Sequence, residues 1–345
     1  MPKLRSPLPP MEARSVDEIP TTKEWQYEPK WDGFRCLTFR NRSSIELQSK
    51  SEKPFGRYFP EIVQAVRELK PQRFALDGEL VVPIDGKLDF DQLLQRIHPA
   101  ESRVRRLSAE HPALLVVFDF LEDETGQSMM ELPLSQRRSK LESFARHFPK
   151  KGLIRLSPAS TNLAQGRRWY RKAGGDTDGL IAKRLDAAYQ PGGRDAMVKI
   201  KPSRTADCVV GGFRYSSRGK TLGSLLLGLY DEKGLLHHVG FTSTLRAADR
   251  AAELRKLEKL REPPGFTGSA PVSPSRWSTR RSSEWEPLRP SLVVEVNYDH
   301  FSGGRFRHGT TFHRWRPDKD PRQCTFDQIK HAAGADLTWL DHRMK

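Results

Sequence analysis

Cysteine is scarce in this sequence. Only Cys36, Cys208 and Cys324 occur among 345 residues, and no two form a Cys-x-x-Cys pair. That excludes a zinc ribbon and a disulfide framework and suits a reducing compartment such as the cytosol. Long apolar runs are missing too. No stretch of 18 apolar residues occurs, and the start, MPKLRSPLPPMEARS, lacks the apolar core of a secretion signal, so neither a membrane span nor export is expected. No internal repeat is evident. Acidic charge is in deficit: 43 Asp+Glu stand against 59 Lys+Arg, a formal net charge of +16 and a pI of 9.9. Such a balance favours a polyanionic partner, nucleic acid first and an acidic membrane surface second.

A chain this long can bury a large core and is expected to form two domains. Up to residue 202, strand-like runs alternate with helical ones. FALDGELVV and ALLVVFDFL are short apolar runs with single acids inside them, whereas FPEIVQAVREL and SQRRSKLESFARHF carry apolar residues at helical spacing. At VKIKPSR, Pro202 ends a strand and the texture changes. DCVVGGFRYS, GSLLLGLYDE, LLHHVGFTS, SLVVEVNYDHF and TTFHRWRP read as five short strands, interrupted by one helix, LRAADRAAELRKLEKL. That pattern fits a small β-barrel of the oligonucleotide-binding (OB) type. The expected class is α+β, with antiparallel sheets and helices in residues 1–202, an OB barrel in 203–322 and a tail over 323–345.

The stretch EPKWDGFR, residues 28 to 35, poses the functional question. Asp32-Gly33 is a common hairpin dipeptide, and FRCLTF reads as a returning strand. Alternatively, Lys30 is a nucleophile at the mouth of a nucleotide pocket. A Lys-x-Asp-Gly match arises by chance in roughly one chain in twenty-five of this length, so the rest of the sequence must arbitrate. Asp77 and Glu79 stand at i and i+2 of one strand, on one face. Phe118 and Asp119 close another strand, and Asp178 opens DGLIAKR on a third. Lys199 and Lys201 alternate on VKIK and share a face. Singly, each acid is a loop cap and each lysine a solvated charge. Together, in order and on one expected sheet, they point to a phosphate-handling site.

In these motifs the sequence resembles the covalent nucleotidyltransferases: DNA ligases, RNA ligases and capping enzymes. KWDGFR is similar to their motif I, Ser49-Lys50 to the basic motif that follows, and LDGELVV to motif III. VFDFL resembles motif IIIa, DGLIAKR motif IV, MVKIKP motif V and RHGTTFHRWRPDKDP motif VI. The match runs from about residue 26 to 324 in the family's order. EPKWDGFR, RYFPE, QLLQRIHPAESRVR and RWRPDKDP look closest to the small bacterial ATP-dependent DNA ligases of the LigC type. Two positions depart. Motif IV begins with Asp178 where most DNA ligases have Glu, which is also the capping-enzyme pattern, and Lys50 stands where arginine is frequent.

The resemblance implies ATP and Mg²⁺ (or Mn²⁺) as cofactors and nicked double-stranded DNA as partner. An ordinary lysine, with a pKa near 10.4, is neutral about once in a thousand at pH 7.4. A nucleophilic one therefore needs neighbouring cations, for which Lys199, Lys201 and Arg35 are candidates. By carry-over, Lys30 attacks the α-phosphorus, Glu28 reads the adenine edge and Phe118 stacks on the base. Arg35 and Glu79 hold the ribose; Lys199 and Lys201 neutralise α-phosphate charge; Lys50 and Arg194 touch phosphates. Asp178 with Glu79 positions the metal. Arg307, Asp318 and Lys319 orient the pyrophosphate, and Pro202-Ser203-Arg204 is the expected hinge. The length leaves no room for further modules, so a minimal monomeric ligase is expected, acting at the nucleoid in DNA repair. Alternatives are an RNA ligase or GTP-dependent guanylyltransferase and, in another class, a non-catalytic nucleic-acid-binding protein. DNA grip is expected from RVRRL at 103–107, or else that run is a solvated helix face. The Pro/Ser-rich stretch 262–290 sets Arg276, Arg280 and Arg281 around Trp277, with Trp285 beyond. It reads either as a DNA-contacting arm or as a surface loop whose tryptophans pack on the barrel.

Overall fold

The computed structural model describes residues 6–173, 177–202, 204–216, 219–271, 284–307 and 309–329. The chain divides after residue 202 into two compact units. The first contains two sheets. One has five strands in the order Ser44–Ser49, Phe34–Asn41, Arg73–Val81, Leu114–Glu122 and Ile154–Leu156. The other has four: Arg14–Ser15, Met197–Ile200, Thr177–Arg184 and Trp25–Trp31. Neighbours are antiparallel except at Ile154–Leu156 and Arg14–Ser15, which pair in parallel.

Strand periodicity explains why acids sit inside apolar runs. Along Arg73–Val81, Phe74, Leu76 and Leu80 enter the core under the helices Pro60–Glu68 and Leu134–Phe144. The alternate residues Ala75, Asp77 and Glu79 face the other way, where Ala75 joins Leu37, Phe39, Leu121 and Met197 in a second cluster. In the four-stranded sheet, Tyr27, Leu180, Ala182 and Val198 pack beneath the helix Leu163–Arg171 through Trp169. Burying each such large apolar side chain contributes roughly 1.5–3 kcal/mol.

Two expectations need correction. Asp32-Gly33 does not close a hairpin: Trp25–Trp31 belongs to the four-stranded sheet and Phe34–Asn41 to the five-stranded one. The dipeptide carries the chain from one sheet to the other. Gly33 is required by close approach, because a Cβ there would collide with the carbonyl oxygen of Leu80. The motif residues therefore occupy two sheets, not one.

The second unit has strands Arg204–Ser216, Gly219–Tyr230, Leu236–Thr242, Val293–Tyr298 and Thr311–Trp315, with the helix Arg250–Glu258 between the third and fourth. Their order in the sheet is third, second, first, fourth, fifth. A parallel bridge from Thr242 to Thr310 joins the two outer strands, reinforced by a 2.9 Å bond from Thr242 Oγ1 to the Thr310 carbonyl. This closure makes the sheet an OB barrel around Val209, Phe213, Leu225, Leu227 and Val294. The short strand Glu286–Pro287 adds to its rim. Trp285 packs on the barrel against Phe266, with ring centroids 5.5 Å apart. Arg276, Trp277, Arg280 and Arg281 lie outside the described residues.

Candidate active site

The site begins as rows across the four-stranded sheet. Glu28 pairs in register with Ile181, and Ile181 with Lys199. With a side-chain period of two, Gln26, Glu28 and Lys30 share this face, as do Ile181 with Lys183 and Met197 with Lys199. The register between Thr177–Arg184 and Trp25–Trp31 slips between Thr177 and Leu180. The bulge falls on Asp178-Gly179, where Gly179 has φ +141° and a Cβ would strike the Ile200 carbonyl. Bulges re-aim side chains. Here Asp178 Oδ2 receives Lys30 Nζ and Lys201 Nζ, each at 2.7 Å.

The five-stranded sheet supplies the facing wall. Arg35 lies directly opposite Glu79 in register. Its guanidinium grips Asp77 with two bonds of 2.5 and 2.6 Å, and Tyr189 donates to the same carboxylate at 2.7 Å. Arg35 and Lys183 both stand over the Phe118 ring, 4.6 and 4.4 Å from its centroid. Lys183 Nζ also donates to Glu28 at 2.9 Å, and Gln26 donates to Glu28 at 2.8 Å. Buried charges are tolerated only when paired in this way.

Between these walls lies a cleft of about 210 Å³. Glu28, Lys30, Arg35, Lys50, Glu79, Phe118 and Lys199 all line it. Burial pushes the Glu79 carboxyl up to about 7, against the opposing pull of the Arg35 and Lys30 charges. Burial also raises Asp178, but the Lys30 and Lys201 charges outweigh it and hold that carboxyl below its ordinary range. Lys199 is lowered by burial and by the crowding charges of Lys30, Lys201 and Lys50. Cations therefore cluster as expected, yet the direct partner of Lys30 is a carboxylate. At the mouth, Arg194 meets Glu12 at 2.9 Å and Lys50 meets it at 3.2 Å.

The three candidates of the second unit stand as follows. Asp318 is bonded by Arg316 at 2.8 Å, which pulls its carboxyl down to about 2. Lys319 lies 3.5 Å from Asp207, and the Arg307 N–H donates to the His300 carbonyl at 3.1 Å.

Sequence reasoning placed Asp77 beside Glu79 on one strand face without giving it a role, and passed over Lys183, Tyr189 and Glu12 as site residues and Arg316 and Asp207 around motif VI. Only Lys183 carried a local signal, since two residues beyond Ile181 it falls on the same strand face. Two other features have structural roles. Asp119 is bonded bidentately by buried Arg137 at 2.8 and 3.0 Å. RVRRL lies in the helix Glu101–Glu110; Val104 and Leu107 are buried, while Arg105 and Arg106 pair with Glu101 and Glu110 on the same helix. Arg103, Arg105 and Arg106 are exposed on the outer side of the helix.

Among the described residues no cluster of three or more His, Cys, Asp or Glu could hold a metal, and no helix is long and apolar enough to cross a membrane.

A sequence profile described as "ATP dependent DNA ligase domain" matches residues 10–201, and one described as "ATP dependent DNA ligase C terminal region" matches residues 218–319. The chain is 43% identical over 344 residues to DNA ligase C2 of Mycolicibacterium smegmatis, covering 94% of each. It is 42% identical over 352 residues to DNA ligase C of Mycobacterium tuberculosis, covering 96% of each. A solved structure reported as "DNA binding with a minimal scaffold: Structure-function analysis of Lig E DNA ligases" is similar in fold. It has a TM-score of 0.55, is 15% identical, and the match covers 89% of this chain and 100% of that one.

Proposed function

Because this chain belongs to the ATP-dependent DNA ligase family, in its small LigC-type branch, we propose that the cleft of the first unit is its adenylation site, with Lys30 as nucleophile. The chain is an ATP-dependent DNA ligase that seals nicks. The RNA-ligase, guanylyltransferase and non-catalytic readings are not favoured. One observation carries the assignment: Lys30 opens on the cleft while its amine is held at 2.7 Å by Asp178.

In the first step the Lys30 amine, in its neutral form, bonds to the α-phosphorus of ATP as the bond from that phosphorus to the pyrophosphate oxygen breaks; pyrophosphate leaves and the nitrogen's surplus proton passes to solvent. Asp178 accepts a hydrogen bond from the amine and so orients it towards the cleft. Lys199 and Lys201 stabilise negative charge as it develops on the α-phosphate. The AMP then passes to the 5′-phosphate at the nick, and the 3′-hydroxyl displaces it to join the strands. Glu28, held by Lys183 and Gln26, reads the adenine edge, and Phe118 stacks on the base. Arg35, fixed by Asp77, holds the ribose with Glu79. Lys50 and Arg194 contact the outer phosphates. Arg307, Asp318 and Lys319 orient the pyrophosphate.

Mg²⁺ (or Mn²⁺) fits the donors present. Glu79 and Asp178 are hard carboxylate oxygen donors, and Glu79 lines the cleft on which Lys30, the partner of Asp178, opens. Mg²⁺ typically takes one or two carboxylates and completes its shell with phosphates and water. When bound it neutralises phosphate charge; Glu79 and Asp178 would hold it.

In this reading residues 1–202 are the adenylation domain, 203–322 the OB domain and 323–345 a tail. The enzyme works as a monomer on nicked duplex DNA, in repair, at the nucleoid of the cytoplasm. The test uses ATP or GTP labelled at the α-phosphate. ATP should label the protein far better than GTP; the reverse would move it to the capping class.

A further inference from the structure

Residues Pro10 to Ala13 form one wall of the cleft, and backbone bonds hold them there. The Met11 N–H donates to the Tyr189 hydroxyl at 3.1 Å, and the Met11 carbonyl accepts from Arg35 at 3.1 Å. The Glu12 N–H donates to the Gly193 carbonyl at 2.8 Å, and that of Val16 to Lys199 at 3.1 Å. Glu12 is the one acid between Ser6 and Val16, so this anchoring fixes a single negative charge at the mouth.

Its Oε2 accepts from Arg194 at 2.9 Å and lies 3.2 Å from Lys50 Nζ. The two cations come from opposite walls. Lys50 follows the strand Ser44–Ser49 of the five-stranded sheet, and Arg194 precedes Met197–Ile200 of the four-stranded one. Both are mostly exposed, at 62% and 66%, whereas Glu12 is 26% exposed. Burial alone would raise the Glu12 carboxyl, but Lys50 and Arg194 hold it below its ordinary range, so it is charged at neutral pH.

We propose that Glu12 is a built-in competitor of the nucleotide's outer phosphates: it occupies Lys50 and Arg194 and thereby weakens the binding of ATP and pyrophosphate alike. The inference rests on the reading of Lys50 and Arg194 as phosphate contacts. An incoming phosphate must either displace the carboxylate or share its cations with a like charge. In the first case the apparent affinity falls by the fraction of molecules whose cations are free. Exposed ion pairs are worth about 0.2–1 kcal/mol each, so two of them correspond to roughly a two- to thirtyfold weakening. Because ATP and pyrophosphate meet the same obstacle, product leaves more readily and attack of pyrophosphate on the adenylated lysine is suppressed.

Glu12→Gln keeps the shape and every backbone bond of the segment, so it isolates the charge. The rate of protein adenylation should be measured against ATP concentration, with and without pyrophosphate. The expected result is that the KM for ATP and the inhibition constant of pyrophosphate both fall, by about two- to thirtyfold. In the background Lys50→Met/Arg194→Met, Glu12→Gln should change neither constant, since the competed cations are gone. If Glu12→Gln raises both constants or leaves them unchanged while Lys50→Met/Arg194→Met weakens ATP binding, the proposal alone is overturned. If Lys50→Met/Arg194→Met leaves both constants unchanged, the phosphate-contact reading falls, and the proposal with it.

Discussion

The amine of Lys30 lies 2.7 Å from Oδ2 of Asp178, an aspartate 148 residues further along the chain. The same oxygen is bonded by Lys201, so one carboxylate organises two cations of different proposed roles. Asp178→Ala should lower the adenylation rate at least a hundredfold, as loss of preorganised electrostatics commonly does. Asp178→Asn and Asp178→Glu should cost less, because each retains an oxygen. A titration with Mg²⁺ checks the metal role: indifference of all three variants to its concentration would count against it.

Lys30→Ala and Lys30→Arg should abolish protein labelling by ATP while leaving the melting temperature nearly unchanged. The substitution strands no charge, since Asp178 keeps Lys201 as its partner. Label retained on either variant would remove Lys30 from the nucleophile role.

Motif VI should matter in one step. Replacing Arg307, Asp318 and Lys319 together by alanine should block adenylation by ATP. The barrel should stay folded, because Arg316 keeps its 2.8 Å bond to Asp207. Sealing of a nick already carrying 5′-AMP should survive much better, as pyrophosphate takes no part in it. Equal loss in both assays would assign these residues to general DNA binding.

Glu79 makes a prediction about pH. Its carboxyl is raised from 4.5 to about 7, so between those values the folded state binds more protons than the unfolded one. Stability therefore falls as pH rises from 4.5 to about 7, and the deficit persists above it. Glu79→Gln should raise stability at pH 8 by on the order of 2–3 kcal/mol and leave it unchanged near pH 4. Denaturant melts at the two pH values, without nucleotide or metal, measure this. An equal effect at both would show that Glu79 does not titrate in that window.

Asp119 should behave as a structural acid. Asp119→Ala leaves the guanidinium of Arg137 buried and uncompensated, at a cost of about 3–5 kcal/mol. The double variant Asp119→Leu/Arg137→Met should recover most of that stability and adenylate normally at low temperature. Loss of adenylation in a stable double variant would instead give Asp119 a part in the chemistry.

How much of this was legible in the sequence depended on the range of the interaction. Lys199 and Lys201 share a face because strand geometry repeats every two residues, and that is local. The same rule placed Asp77 and Glu79 on one side of their strand, and the switch from helical to short-strand texture marked the change at residue 202. The OB barrel was visible as five runs and a helix, although its closure between Thr242 and Thr310 was not. EPKWDGFR shows where local reasoning stops. The dipeptide Asp32-Gly33 has hairpin chemistry, and nothing within eight residues reveals that its flanking strands pair with different sheets. What separates them is the carbonyl of Leu80 against Gly33, a contact between residues 47 positions apart.

By itself, then, the sequence determined which residues can do phosphate chemistry and which face of its strand each occupies. Only the tertiary structure decided the partners: two sheets facing across a cleft, Lys183 on Glu28, Asp77 on Arg35, Glu12 between Lys50 and Arg194. Side-chain direction follows from backbone dihedrals two residues at a time. Pairing follows from hydrogen-bond register, bulges and close packing between distant segments, which no short window of residues contains.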